Sequence, residues 1–161
     1  MAHKLSIEAA DRTLKMARTF DYPRELVFQA YTDGEALKQW FGPEGWPLTV
    51  SDMDFRVGGT WHYCMSGPDG EQAWGIATFE EIEAPSKLVY RDGFSDADRN
   101  IVPPESTVTI EFVEVGPSQT SLRVTSVFAS NDERDQVLAM GMEEGMGQTL
   151  DHLEEYLSRQ R

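Results

Sequence analysis

Four tryptophans, a cluster of methionines and a few ionisable groups are the residues of this chain whose chemistry could reach a second molecule. Trp40, Trp46, Trp61 and Trp74 each bring a large apolar area and one N–H that needs a partner when buried. Trp40 and Trp46 bracket a Gly-Pro turn, where they serve either the core or the mouth of a pocket. Trp61 and Tyr63 share one face of an alternating run, and Phe112 shares another with Val108 and Ile110. Met140, Met142 and Met146 are flexible thioethers, suited either to filling gaps or to accommodating ligands of several shapes. The expected ligand contacts are Trp40, Trp46, Trp61, Tyr63, Trp74, Phe112, Met142 and Met146.

Acid–base chemistry would need an ionisable group pointing into such a pocket, and Asp54, Arg56, Glu80, Tyr90 and Arg91 are the candidates. Asp54 and Arg56 also suit a salt bridge that fixes the Gly58-Gly59 turn. None of His3, His62 and His152 has a second histidine or cysteine at metal-ligand spacing, so no metal is expected. His62 alternates with Trp61 and Tyr63, which predicts a solvent-facing side chain. Cys64 shares its face, has no basic neighbour in sequence to activate it, and as the only cysteine has no partner for an internal disulfide. No nucleophile elbow, P-loop or dinucleotide fingerprint occurs, and no cofactor is expected.

These residues must be positioned by elements that can be read from the pattern. Leu14, Met16, Arg18 and Phe20 share a face of a first strand, after a polar lead-in of residues 1–13 with freedom to flex. Pro23 opens a helix running to about Thr32, because its missing N–H would be unpaired in a first turn anyway. Asp33 is placed to cap a second short helix. From Leu48 to about Phe128 short alternating runs separated by Gly, Pro and Ser predict an antiparallel meander with one face buried and one wet. Asp92 to Ser106, rich in Gly, Asp, Asn and Pro, reads as a mobile loop at the pocket rim. Asn131 or Asp132 then caps a final helix of some 28 residues, about 40 Å long. Leu138, Met142, Met146, Leu150, Leu153 and Leu157 form its apolar stripe. Gly141, Gly145 and Gly147 within it each cost nearly 1 kcal/mol against alanine, so close packing, bending or room for a ligand must offset them.

A chain of 161 residues with 40% hydrophobic and 26% charged residues supports one domain with its own core, here 14–159. Its 28 acidic against 14 basic residues repel nucleic acid and anionic membrane surfaces. No apolar run suits a signal peptide or a membrane span, which predicts a cytoplasmic protein. A long helix after an antiparallel sheet buries its stripe by lying across the concave face. The fold expected is therefore α+β of the helix-grip kind: a curved antiparallel sheet around a long C-terminal helix, with two short helices after the first strand.

Five segments carry a further signal in their order: ARTFDYPRELVFQAYTD, LKQWFGPEGWP, DMDFRVGGTWHYCM, FEEIEAPSKLVY and GMEEGMGQTLDHLEEYL. Over about residues 14 to 159 the chain resembles the single-domain bacterial homologues of the activator of heat-shock protein 90 ATPase, in the START-like (SRPBCC) superfamily. The resemblance implies the helix-grip fold and an internal apolar cavity. It carries over no catalytic set, because catalytic residues differ between branches of the superfamily.

The leading expectation is a carrier or sensor that takes a small apolar molecule between the long helix and the sheet. The alternatives are a cyclase- or hydrolase-type enzyme using the same cavity, and a module that interacts with a chaperone. Homodimerisation is compatible with each.

Overall fold

A computed structural model describes residues 4–160; His3 lies outside them. Twelve elements follow one another: β1 (Ser6–Ala10), β2 (Thr13–Phe20), α1 (Arg24–Thr32), α2 (Gly34–Trp40), β3 (Leu48–Met53), β4 (Thr60–Ser66), β5 (Gln72–Glu83), β6 (Lys87–Ser95), β7 (Ile101–Gly116), β8 (Gln119–Phe128), α3 (Asn131–Ala139) and α4 (Met142–Ser158). The strands form one sheet in the order β1-β2-β8-β7-β6-β5-β4-β3, every neighbouring pair antiparallel. This is the helix-grip α+β fold, a curved sheet closed over by helices. The lead-in contributes β1, which pairs with β2 from Ser6 opposite Ala17 to Ala10 opposite Thr13.

Local chemistry explains the helix starts. Pro23 precedes α1, and the Asp33 carboxylate accepts from the N–H groups of Glu35 and Ala36 at the start of α2. The core forms where alternating strand faces meet the helices: Phe20, Leu88, Ile110, Phe112 and Leu122 from the sheet, Val27 and Leu37 from α1 and α2, Leu150, Leu153 and Leu157 from α4. Arg18 occupies the same inner face and is 3% exposed. Its Nη1 donates to Asp151 at 2.7 Å and its Nη2 to Glu154 at 3.2 Å, tying β2 to α4, while Nε has no partner.

Three expectations are corrected. The single 28-residue helix is two, because Gly141 adopts φ 85°, a left-handed conformation that ends α3 and starts α4. The cap of α3 is Ser130, whose hydroxyl accepts from Glu133 N–H; the Asn131 side chain instead accepts from Arg12 N–H. The long rim loop is mostly a hairpin: β6 runs to Ser95 and β7 begins at Ile101. Its prolines, Pro103 and Pro104, fall where the pairing shifts from Gly93–Glu105 to Phe94–Val102, a place where a missing N–H breaks no ladder bond.

Two of these glycines, Gly141 and Gly147, make opposite predictions. Gly141→Ala forces a side chain into positive φ and should cost about 1 kcal/mol. Gly147→Ala lies in a helix interior with nothing within 4 Å of the new Cβ and should gain up to about 1 kcal/mol. Urea midpoints moving in the same direction for both would show that the α3–α4 break is not held by Gly141.

Candidate functional site

The inner face of the sheet stays open to one pocket of about 220 Å³, roofed by α3 and α4 through Val137, Met142 and Met146. Its floor comes from β2, β7 and β8, including Met16, Val108, Val124 and Ser126. One end carries polar groups: Tyr63 from β4, Tyr90 and Asp92 from β6, and Tyr31 from α1. Strand alternation places Tyr90 and Asp92 on one face, and antiparallel pairing sets Asp92 opposite Ser106 and Ala77.

The Tyr63 hydroxyl donates to Asp92 Oδ1 at 2.9 Å. Burial pushes the Asp92 carboxyl up to about 6 from an ordinary 3.8, against the Tyr63 and Gly93 hydrogen bonds, which favour the charged form. Burial first, and the Asp92 charge second, hold the Tyr63 and Tyr90 hydroxyls well above the usual tyrosine range. Burial raises Tyr31 as well. Over the neutral pH range this leaves three un-ionised hydroxyls beside one carboxyl that titrates.

Neighbouring aromatics fix that end. The Trp61 ring stacks on Tyr63 with centroids 4.0 Å apart, and Trp61 Nε1 donates to Ser51 Oγ at 2.9 Å. Gly75, opposite Tyr63, is required for space, since a Cβ there would lie 2.3 Å from the tyrosine ring. Phe112 packs edge-on against Tyr31 and Phe28.

Of the expected ligand contacts, Tyr63, Met142 and Met146 line this pocket. Trp61 and Phe112 support its walls from the core without lining it. Trp40 is buried and donates to Ala30 O at 3.2 Å, packing between α1 and α2. Trp46 is half-buried over Gly67. Trp74 is placed on the opposite face of the sheet, where it stacks on His62 with centroids 4.8 Å apart. His62 itself is 5% exposed, not solvent-facing, because the tip of the β6–β7 hairpin folds over it and Asp96 O lies 2.8 Å from its Nε2. Cys64, beside it in the strand, is fully buried.

Among the other ionisable candidates, Arg56 pairs with Asp54 at 2.8 Å and Arg91 with Glu80 at 3.1 Å, both on the exterior. Tyr90 alone points inward, and Asp92 joins it unanticipated. His152 bridges Gly42 O at 2.9 Å and Glu44 at 3.1 Å, fastening α4 to the loop after α2. Among the described residues no group of three or more His, Cys, Asp or Glu is arranged to hold a metal, and no helix is long and apolar enough to cross a membrane.

The sequence model of the family described as activator of Hsp90 ATPase homolog 1-like protein matches residues 21–158. The chain belongs to this family. Similar solved structures bear out the fold. A solution structure from Arthrobacter aurescens is 31% identical with a TM-score of 0.88, covering 96% of this chain and 91% of that one. A crystal structure from Mycobacterium smegmatis is 31% identical with a TM-score of 0.86, covering 94% and 95%. A solution structure from Staphylococcus epidermidis is 32% identical with a TM-score of 0.84, covering 97% and 95%. No curated protein matches the chain. Membership of the activator-like family, together with the helix-grip fold, supports a ligand-binding type of domain in general terms.

Proposed function

We propose that this protein binds a small, largely apolar molecule in the pocket between α3–α4 and the sheet, as a carrier or sensor. The pocket itself carries the reading: about 220 Å³ of space, mostly apolar in its lining, with Tyr31, Tyr63, Tyr90 and Asp92 among its polar groups. Ligand sites typically combine such apolar walls with a few placed polar groups. A ligand withdrawing about 300 Å² of apolar surface from water would gain roughly 7.5 kcal/mol before the costs of immobilisation. Without those costs the gain corresponds to a few micromolar, so micromolar is the tightest affinity that apolar burial alone would give.

The test is native mass spectrometry of the protein purified from its own organism, beside a Ser126→Leu variant that fills the pocket floor. A small molecule retained by the wild type and lost from the folded variant supports the reading. Equal retention by both places the ligand elsewhere and overturns it.

Asp92 gives a second reading specific support. A carboxyl near pH 6 beside a tyrosine hydroxyl suits proton transfer, the chemistry of a cyclase- or hydrolase-type enzyme. Turnover of a candidate substrate should then follow the Asp92 titration and vanish in Asp92→Asn; turnover indifferent to that substitution would remove the enzymatic reading.

A further inference from the structure

The occupant's charge is written in the pocket's lining, and this inference rests on the pocket reading above. Among the described residues lining it, Asp92 is the one carboxylate, and there is no lysine, arginine or histidine. Asp92 has neutral donors but no cationic partner: the Tyr63 hydroxyl holds Oδ1 and the Gly93 N–H bonds the carboxylate. Arg91, its neighbour in sequence, faces outward to Glu80. Arg18, on the same inner face of the sheet, is already held by Asp151 and Glu154.

Asp92 is half-buried, and a carboxylate partly withdrawn from water without a counter-ion is a costly arrangement that an incoming cation would relieve. The same pocket is lined by the rings of Tyr31, Phe41, Tyr63, Tyr90 and Phe94. Aromatic faces attract ammonium groups through the ring quadrupole, and more strongly where water is excluded. An anionic head group would meet repulsion here and find no basic residue. A neutral one would leave the charge unpaired. The net charge of −14 also favours accumulation of cations near the protein over anions.

We infer that the pocket selects a small organic amine, whose ammonium group bonds the Asp92 carboxylate while its hydrocarbon part lies against Val108, Val124, Met142 and Met146. The titratable groups facing Asp92 are Tyr31, Tyr63 and Tyr90, all held un-ionised through neutral pH. An alkylammonium, like a lysine side chain, keeps its proton over the same range. Any pH dependence of selectivity between pH 5 and 8 therefore comes from Asp92.

Three probes that share a phenethyl group decide the matter: phenethylamine, 2-phenylethanol and 3-phenylpropionate, titrated calorimetrically into the full chain at pH 8. Each is somewhat larger than benzene, which an engineered apolar cavity of about 150 Å³ holds. The amine should bind about tenfold or more tightly than the alcohol, and the carboxylate should bind weakest. Asp92→Asn should erase the amine's advantage over the alcohol. At pH 5, with Asp92 protonated, the wild type should lose most of the same advantage.

If the alcohol binds as well as the amine, the cation selectivity is wrong and the pocket reading stands. An amine advantage that survives Asp92→Asn overturns the assignment too, because the cation is then held elsewhere. Failure of all three to bind overturns the pocket reading and this inference together.

Discussion

Replacing both Asp151 and Glu154 with alanine is expected to destabilise the protein by about 3–5 kcal/mol, although the Asp151 side chain is itself 67% exposed. The reason is what they leave behind. Arg18 is 3% exposed on the inner face of β2, and its two bonds to α4 are the charge compensation that burial demands. Its guanidinium lies over the Phe20 ring at 5.2 Å, a further attraction too small to replace two carboxylates. Arg18→Met should cost much less, because it removes the buried charge together with the need for partners, and the acids it frees can be solvated. The diagnostic result is a rescue: adding Arg18→Met to the double-alanine variant should recover most of the lost stability in urea unfolding. A double-alanine variant within about 1 kcal/mol of the wild type would mean that the guanidinium is hydrated and that the pair does little.

The second large effect has the opposite sign. Asp92→Asn should stabilise the unliganded protein above pH 6 by up to about 3 kcal/mol. Burial raises the folded Asp92 from 3.8 to about 6, so the native state holds this proton more tightly than the unfolded chain does. The contribution is full below about pH 4, falls as pH rises towards 6, and is gone once the folded group ionises. Asparagine keeps an oxygen for the Tyr63 hydroxyl and never pays for ionisation. Urea unfolding of both proteins from pH 4 to 8 isolates the effect, since every other titrating group is common to the two. The stability difference should open between pH 4 and 6 and then level off. A difference that stays constant with pH would show that Asp92 is solvated.

Both effects depend on residues that sequence pattern exposed unequally. The alternation of Leu14, Met16, Arg18 and Phe20 put Arg18 on an apolar face, and a charge in that position is itself a sign of a buried pair. Its partners could not be read, because Asp151 and Glu154 look like ordinary solvated helix residues until α4 is docked. Asp92 was hidden by composition: glycine, aspartate and proline made its segment resemble a loop. Extending the β6 alternation past Tyr90 would have placed its side chain inward.

The helix starts at Pro23 and Asp33, the meander and the apolar stripe of the C-terminal helix were legible because each follows from local chemistry. Periodicity reports one buried face, whereas His62 and Trp74 occupy a second one, covered by a hairpin tip more than thirty residues further on. Likewise the glycines of the last helix signalled a departure from helical geometry, but only the backbone shows that Gly141 takes it and that Gly145 and Gly147 do not.

The pairing of β2 with β8 also sets an order of events at the ribosome. Arg18 meets Leu122 across this ladder, so β2 leaves the exit tunnel long before its partner on that side has been made. At about 5–20 residues per second the wait is several seconds or more. The strands from β3 to β7 can pair with their immediate successors as they emerge. β2, carrying Leu14, Met16 and Phe20, has only the short β1 beside it until β8 arrives, and the helix that neutralises Arg18 is made later still. The nascent chain therefore exposes its earliest apolar strand for longest, and that strand is where holding chaperones and aggregation compete for it.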